Sequence, residues 1–304
     1  MSTIRVIDLH FLGNRETIAA FLVETTAGPV LIETGPHSTL AHLEKGLARH
    51  GYQCRDVQHV FLTHIHLDHA GAAWYFASLG ATVYVHPRGH KHLANPEKLM
   101  NSARMIYRDK MDELWGEMRP IPDERLRAVA DGEAFAIGER TFRAHHTPGH
   151  AVHHIAWQLD DQLFAGDVAG VRIGLGPVVP PCPPPDINVE DWQASIRKIL
   201  ALDLKEVHLT HYGTVREIEA HFQALENNLL EWATWMKPHF DGGSDPQEIT
   251  PVFQAYVKES LIAAGVDAEG LRQYEGANPA WMSVVGLLRY WKVRARAASD
   301  MAKK

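Results

Sequence analysis

The sequence predicts an α/β (α+β) fold, a β-sandwich assembled in two halves with a helical subdomain attached at the C-terminal side. Three observations carry this. Residues 4 to 34 hold IRVIDLHFLG, TIAAFLVETT and PVLIETG, apolar β-prone runs joined by Gly and Asn turns, which read as successive strands of the first half. Further short β-prone runs then alternate with helical segments up to about residue 213. From 214 to 304 the apolar spacing is helical, with no strand-like alternation.

Taken in order, STLAHLEKGLARHG is a helix that closes at Gly51, with Ser38 as its expected N-cap. HVFLTH is a short buried strand, AGAAWYFASLG a helix ending at Gly80, and ATVYVHP another strand, whose His86 lies near the site or at the surface. Residues 88 to 130 form a polar, helix-prone insertion with a stripe of Leu99, Met105, Ile106, Met111, Leu114, Trp115 and Met118. Core packing is the first expectation for such a stripe, and an adaptable apolar pocket wall the second. FRAHHTPGH runs a strand into a Pro-Gly turn, and HHIAWQLDDQLFAGDV reads as a hairpin about Asp160 and Asp161. The Pro-rich segment GVRIGLGPVVPPCPPPDIN is expected to be a structured loop, since clustered Pro stiffens a chain. Asn188 then caps the helix VEDWQASIRKILALD, which returns to the strand EVHLTH. Three helices follow, broken first at Pro238 with its Asp-Gly-Gly-Ser turn and again across GVDAEGLRQYEGANP.

Chemistry concentrates at strand ends. His64, His66, Asp68 and His69 fall inside THIHLDHAG, and His150, Asp167 and His211 each close a β-prone run further on. With 20 histidines in the chain, one at a strand end carries little meaning; four candidate ligands within six positions mean coordination. The loop leaving the strand can aim His64 and His66 one way while Asp68 and His69, at the start of a helix, face another, so two metals are expected. His145, His146, His153 and His154 read as ordinary strand or loop residues, the alternative being that one orients a ligand. His208 lies on the opposite strand face from the ligands.

At these residues the chain resembles the metallo-β-lactamase fold superfamily, whose signature is His-x-His-x-Asp-His, and most of all its glyoxalase II-like hydrolases. The similarity extends over roughly residues 5 to 215. It implies a four-layer αββα sandwich in which His64, His66 and His150 hold one divalent metal, Asp68, His69 and His211 hold a second, and Asp167 bridges them. It also implies a catalytic role for Asp68, which orients the attacking water as well as ligating. Zinc is the expected metal, with iron or manganese also suited to His and Asp ligands. One departure from the family pattern stands at Glu33-Thr34-Gly35, where the family carries Asp-Thr-Gly. The extra methylene shifts the carboxylate; Glu33 can still orient a ligand but is not counted as catalytic.

Composition bounds the remaining choices. A chain of 304 residues with 45% hydrophobic and 22% charged residues has the apolar content for a sizeable core. A formal net charge of −7 offers no general basic field for nucleic acid. No apolar run approaches the roughly 20 residues that span a bilayer, so no membrane partner is expected and the expected location is cytoplasmic. Cys54 and Cys182 read as core or loop thiols. The expected organisation is a catalytic domain over residues 1–213 and a helical subdomain over 214–304 that caps the pocket or forms a homodimer surface. The expected activity is dinuclear metal-dependent hydrolysis of a small ester, thioester or lactone, with a small-molecule acyl substrate. The alternatives are a mononuclear iron persulfide dioxygenase and a regulatory or binding protein of the same fold.

Overall fold

Every second residue of the early apolar runs faces one side, and both sides are apolar, so these strands must be covered on two faces. The computed structural model describes residues 4–302, so Met1 to Thr3 and Lys303 to Lys304, at the ends of the two expected domains, lie outside the described residues. It meets that requirement with two sheets packed face to face. The first contains β1 (Ile4–Asp8), β2 (Ala19–Thr25), β3 (Gly28–Ile32), β4 (His59–Phe61), β5 (Thr82–Val85) and β6 (Leu126–Ala128), side by side in chain order. The first three strands are antiparallel, and β3 to β6 run parallel. The second sheet holds β7 (Ala134–Ile137), β8 (Arg140–His146), β9 (Ile155–Leu159), β10 (Gln162–Phe164), β11 (Glu206–Leu209) and β12 (Gly213–Val215), again in chain order. Only β10 and β11 are parallel there, because α7 (Val189–Leu200) makes the crossover between them.

Phe21, Val23, Ile32, Phe61 and Tyr84 of the first sheet meet Phe142, Ile155, Trp157 and Phe164 of the second. Phe61 lies against Phe142 at 4.8 Å and edge-on to Trp157 at 4.6 Å between ring centres. The alternate residues Leu22, Leu31 and Val60 point outward to α1 (Leu40–Arg49), α2 (Leu67–Ala70), α3 (Ala73–Ser78), α4 (Pro87–Ala94) and α5 (Glu97–Tyr107). On the far side, α7 and α8 (Ile218–Asp241) cover the second sheet through Trp192, Ile196, Phe222 and Leu225. The layers are therefore αββα, as the family resemblance implies.

The C-terminal helices share that last core. Phe253 of α9 (Pro246–Ala263), Tyr274 of α10 (Ala268–Ala277), and Val284 and Leu287 of α11 (Ala280–Ala302) pack in one cluster with Val168, Val207 and Leu209. Residue 214, the expected start of the subdomain, lies inside β12. No helix among the described residues is long and apolar enough to cross a membrane.

Several local expectations are corrected. Ser38 does not cap α1: its hydroxyl donates to Leu114 O at 2.6 Å, at the end of α6 (Met111–Leu114), and a single turn of 3-10 helix precedes α1. The helix α8 continues through Pro238. Only the bond to the Thr234 carbonyl is given up, so close to the helix end that burial of Trp232, Ala233 and Met236 outweighs it. The break comes at Gly242 and Gly243, and Asp245 then caps α9 by accepting from Gln247 N at 2.7 Å. The segment read as a linker folds as α10, capped by Asp267. In the insertion, Met111 and Met118 are buried, whereas Met105 and Ile106 are 75% and 45% exposed.

Candidate metal centre

The residues singled out in sequence come together where strands of both sheets end. Glu33 follows β3, His64 follows β4, His150 follows the turn after β8, Asp167 follows β10, and His211 follows β11. Leu67, Asp68 and His69 open α2, with His66 just before it in extended conformation. The two sheets are tied at this rim by Ile155 N donating to Thr63 O at 2.7 Å and by Trp157 Nε1 donating to Leu62 O at 2.9 Å.

Two clusters form. In one, His66 Nδ1 lies 2.9 Å from His64 Nε2 and 3.0 Å from His150 Nε2. In the other, His211 Nε2 lies 3.4 Å from Asp68 Oδ2, and His69 Nε2 lies 3.7 Å from the same oxygen. The Asp167 carboxylate stands between them. Its Oδ1 is 3.2 Å from His69 Nε2 and 3.4 Å from His211 Nε2, and its Oδ2 is 3.4 Å from His150 Nε2. All seven sequence-predicted residues are thus assembled, in the grouping that the family resemblance implied. A further grouping of Glu33, His64 and His69 also has the spacing for a metal. Glu33, however, is already spent on protein donors.

Those donors fix the tautomers. A carbonyl can only accept, so His150 Nδ1 donates to Pro181 O at 2.8 Å and His211 Nδ1 donates to Thr17 O at 2.8 Å. His69 Nδ1 donates to Glu33 Oε1 at 2.9 Å. The Thr63 hydroxyl gives its hydrogen to Glu33 Oε1 and so accepts from His64 Nδ1 at 3.0 Å. In the neutral rings the Nε2 atoms of four histidines therefore present lone pairs inward. Among the described residues nothing answers them fully: His69 Nε2, His211 Nε2 and Asp167 Oδ1 are buried with no hydrogen-bond partner there. Buried lone pairs and a carboxylate facing one another are costly unless a cation lies among them. The residues fit divalent metal ions, with outward N–H groups anchored as metal-binding imidazoles require.

The proton affinities follow the same charges. Burial, joined by His69 and His66, holds His64 far below the ordinary imidazole range, and burial with His150 brings His66 down to about 3. Burial and the neighbouring carboxylates oppose each other at His69 and His211, and Asp167 leads the carboxylates that win, raising both. Burial would raise Asp68, yet His69 and His211 lower it to about 2. Asp167 is held low by His69, His211 and His150 in the same way.

Sequence reasoning undervalued some supporting residues. Glu33 is fully buried at a positive φ of 64°, a conformation rare outside Gly, and its carboxylate serves His69, Thr63 and Thr210 together. A signal was available: Thr-His occurs at the end of two strands, 63–64 and 210–211, and both threonines turn to Glu33. His154, read as ordinary, is fully buried, with Nδ1 2.9 Å from Thr147 Oγ1 and Nε2 accepting from Val168 N at 3.4 Å. It steadies the turn that carries Asp167. That turn needs Gly166, at φ 52°, because a Cβ would press on Thr63 Oγ1 and His154 Nε2. His86 is not a surface residue: buried, it caps α4 by accepting from Arg88 N and packs on His146 at 4.2 Å. His208 faces away from the site, as expected, toward Gln162 and Thr214.

Comparison with known proteins agrees with this geometry. The model of the metallo-beta-lactamase superfamily matches residues 13–211, which include all seven candidate ligands. The chain is 30% identical over 175 residues to the metallo-beta-lactamase fold-containing protein ST1585 of Sulfurisphaera tokodaii, covering 56% of this chain and 66% of that protein. It is 25% identical over 207 residues to an atrochrysone carboxyl ACP thioesterase of Aspergillus fumigatus, covering 67% of this chain and 53% of that one. The chain thus spans between half and two thirds of these relatives' lengths. Among solved structures, ST1585 superposes with a TM-score of 0.61 at 26% identity over 73% of this chain and 86% of that one. The metallo-beta-lactamase family protein TTHA1429 from Thermus thermophilus gives 0.66 at 20% identity over 96% and 94% of the two chains, so the fold it shares includes the C-terminal helices. With the αββα layers, the ligand spacing and a matching model over most of the chain in agreement, the protein belongs to the metallo-β-lactamase superfamily.

Proposed function

We propose that the protein is a dinuclear metal-dependent hydrolase of a small ester, thioester or lactone. The observation that carries this reading is the Asp167 carboxylate, which turns one oxygen to each cluster of inward-facing imidazoles. In this reading His64, His66 and His150 hold one ion, Asp68, His69 and His211 the other, and Asp167 both. Divalent cations there, zinc being the best match to this donor set, would acidify a water and polarise an acyl carbonyl.

The chain's own residues supply the rest. Asp68, 20% exposed on its side chain and held anionic by its histidine neighbours, accepts a hydrogen bond from the attacking water and turns its lone pair toward the acyl carbon. Tyr107, half-buried and close enough to Asp68 for that carboxylate to help burial raise its phenol, stays protonated and in this reading forms part of the wall above the site. Its ring packs on Trp115 at 5.1 Å and on Trp281 at 6.0 Å. The 88–130 insertion and α11 thus meet at Tyr107, and in this reading their contact supplies an apolar cover suited to an acyl group. A thiol nucleophile is not available here: Cys182 is fully buried, and burial pushes its thiol far up. The relative named as an ACP thioesterase supports acyl chemistry.

A panel of thioesters, lactones, esters and phosphodiesters tests the reading on protein loaded with zinc and on protein stripped by a chelator. Acyl cleavage that is lost on stripping and restored by zinc is the expected result. Oxygen uptake with a glutathione persulfide by a chain holding one iron would overturn it.

A further inference from the structure

The C-terminal helices reach the clusters indirectly, and they do so twice. Two histidines, one from each cluster, donate their outward Nδ1–H to backbone carbonyls: His150 to Pro181 O and His211 to Thr17 O. Neither carbonyl belongs to a helix or strand. Each lies on a loop, and each loop is fastened by α10, by α11 or by Asn278 between them.

Around Pro181 the fastening is dense. Asn278 Nδ2 donates to Pro180 O at 3.3 Å, Cys182 N donates to Ser283 Oγ at 3.3 Å, and Arg289 Nε donates to Pro185 O at 2.9 Å. Ser283 in turn donates to Asn278 Oδ1 at 3.3 Å. Gly286 lets α11 lie directly on this loop, since a Cβ there would overlap the Cys182 carbonyl. Around Thr17 the arrangement is repeated with α10. Gln273 Nε2 donates to Arg15 O at 2.9 Å, and Thr17 Oγ1 donates to the same carbonyl at 3.2 Å. The Tyr274 hydroxyl accepts from Ile173 N at 3.1 Å and donates to Pro177 O at 2.7 Å, and the adjoining Arg172 N donates to His211 O at 2.7 Å.

We propose that α10 and α11 are a positioning element for the metal centre: Ser283 and Asn278 set the Pro181 carbonyl that orients His150, and Gln273 sets the Arg15–Thr17 turn that orients His211. The inference rests on the dinuclear reading for its effect on metal, but its structural half stands without any ion. An imidazole whose outer N–H loses its acceptor can rotate or change tautomer, and its inward lone pair is then misdirected. Because the two fastenings are separate, they make separate predictions. Loosening one acts on one ion, whereas general destabilisation of the fold acts on both.

The test uses the full chain with Gln273→Ala and Ser283→Ala, changes mild enough to spare the packing that Gly286→Ala would break. Two quantities are measured: the imidazole Nδ1–H resonances of His211 and His150 by NMR in metal-free protein, and the two zinc affinities by chelator competition. Gln273→Ala is expected to shift or broaden the His211 signal alone and to weaken one ion about tenfold, the lower end of what loss of an orienting partner costs. Ser283→Ala is expected to do the same to His150 and the other ion. Unchanged resonances and affinities in both variants overturn the proposal, as does an equal loss at both ions accompanied by a lower melting temperature. A wild-type chain that takes up no zinc defeats the dinuclear reading instead, and the metal-free imidazole signals still decide the positioning role.

Discussion

Glu33 is where the hydrogen bonding behind the site converges: one buried carboxylate receives His69 Nδ1–H, the Thr63 hydroxyl and backbone N–H, and the Thr210 hydroxyl. Glu33→Gln keeps the size but replaces one acceptor oxygen by a donor, so His69 or Thr63 must lose its partner. Metal affinity should fall about 10- to 100-fold, the cost usual for an orienting group, in a protein that still folds; an unchanged chelator-competition curve would refute this role. Asp167→Ala removes the carboxylate shared by both clusters, and metal occupancy and turnover should fall together. Full occupancy with normal turnover would mean that Asp167 is not a bridge. At this scale the sequence was highly legible, because ligand chemistry demands particular residue types at fixed spacing and THIHLDHAG displays them. Glu33 and His154 were harder to read, since orienting roles depend on which chains meet in space and not on spacing along one of them.

Elements were legible where local chemistry decides them. Asn188 is a clear case: its side chain accepts from Asp191 N at 3.0 Å and starts α7, the crossover that sets β11 and His211 beside β10 and Asp167. Asn188→Ala should cost about 1 kcal/mol, visible as a lower melting temperature with metal content unchanged; no change in melting would show that the cap contributes nothing. Ser38 obeys the same residue preference and yet fails as a cap, because a tertiary acceptor, Leu114 O, takes its hydroxyl. Pro238 and the segment before Asn278 misled for a related reason. A proline in the last turn of a long helix sacrifices a single bond, and a Gly-containing stretch becomes helical when Asp267 caps it and Tyr274 is buried on the core.

Across the whole molecule, the number of buried histidines makes stability depend on acidity. Burial lowers His86, His208 and His221 each to about 4, and His64, His66, His153 and His154 are likewise lowered, with burial the leading cause in each. A histidine that stays neutral when folded but protonates when unfolded contributes stability above about pH 6.5 that is lost as pH falls toward about 4. His69 and His211, raised by carboxylates, act in the opposite sense but are outnumbered. The metal-free chain should therefore show a lower urea midpoint at about pH 5 than at about pH 7; an equal or higher midpoint would contradict this balance. The two halves of the sandwich were legible from successive β-prone runs and the four layers from the family resemblance, whereas the shared core of α8 to α11 with the second sheet was not, because helical spacing shows that a face is buried but not against what. The most direct test of the account is anomalous X-ray diffraction at the zinc edge on crystals of the zinc-loaded protein. Two peaks are predicted, one among His64, His66 and His150 and one among Asp68, His69 and His211, with Asp167 contacting both; a single peak, or zinc bound away from these side chains, would contradict the account.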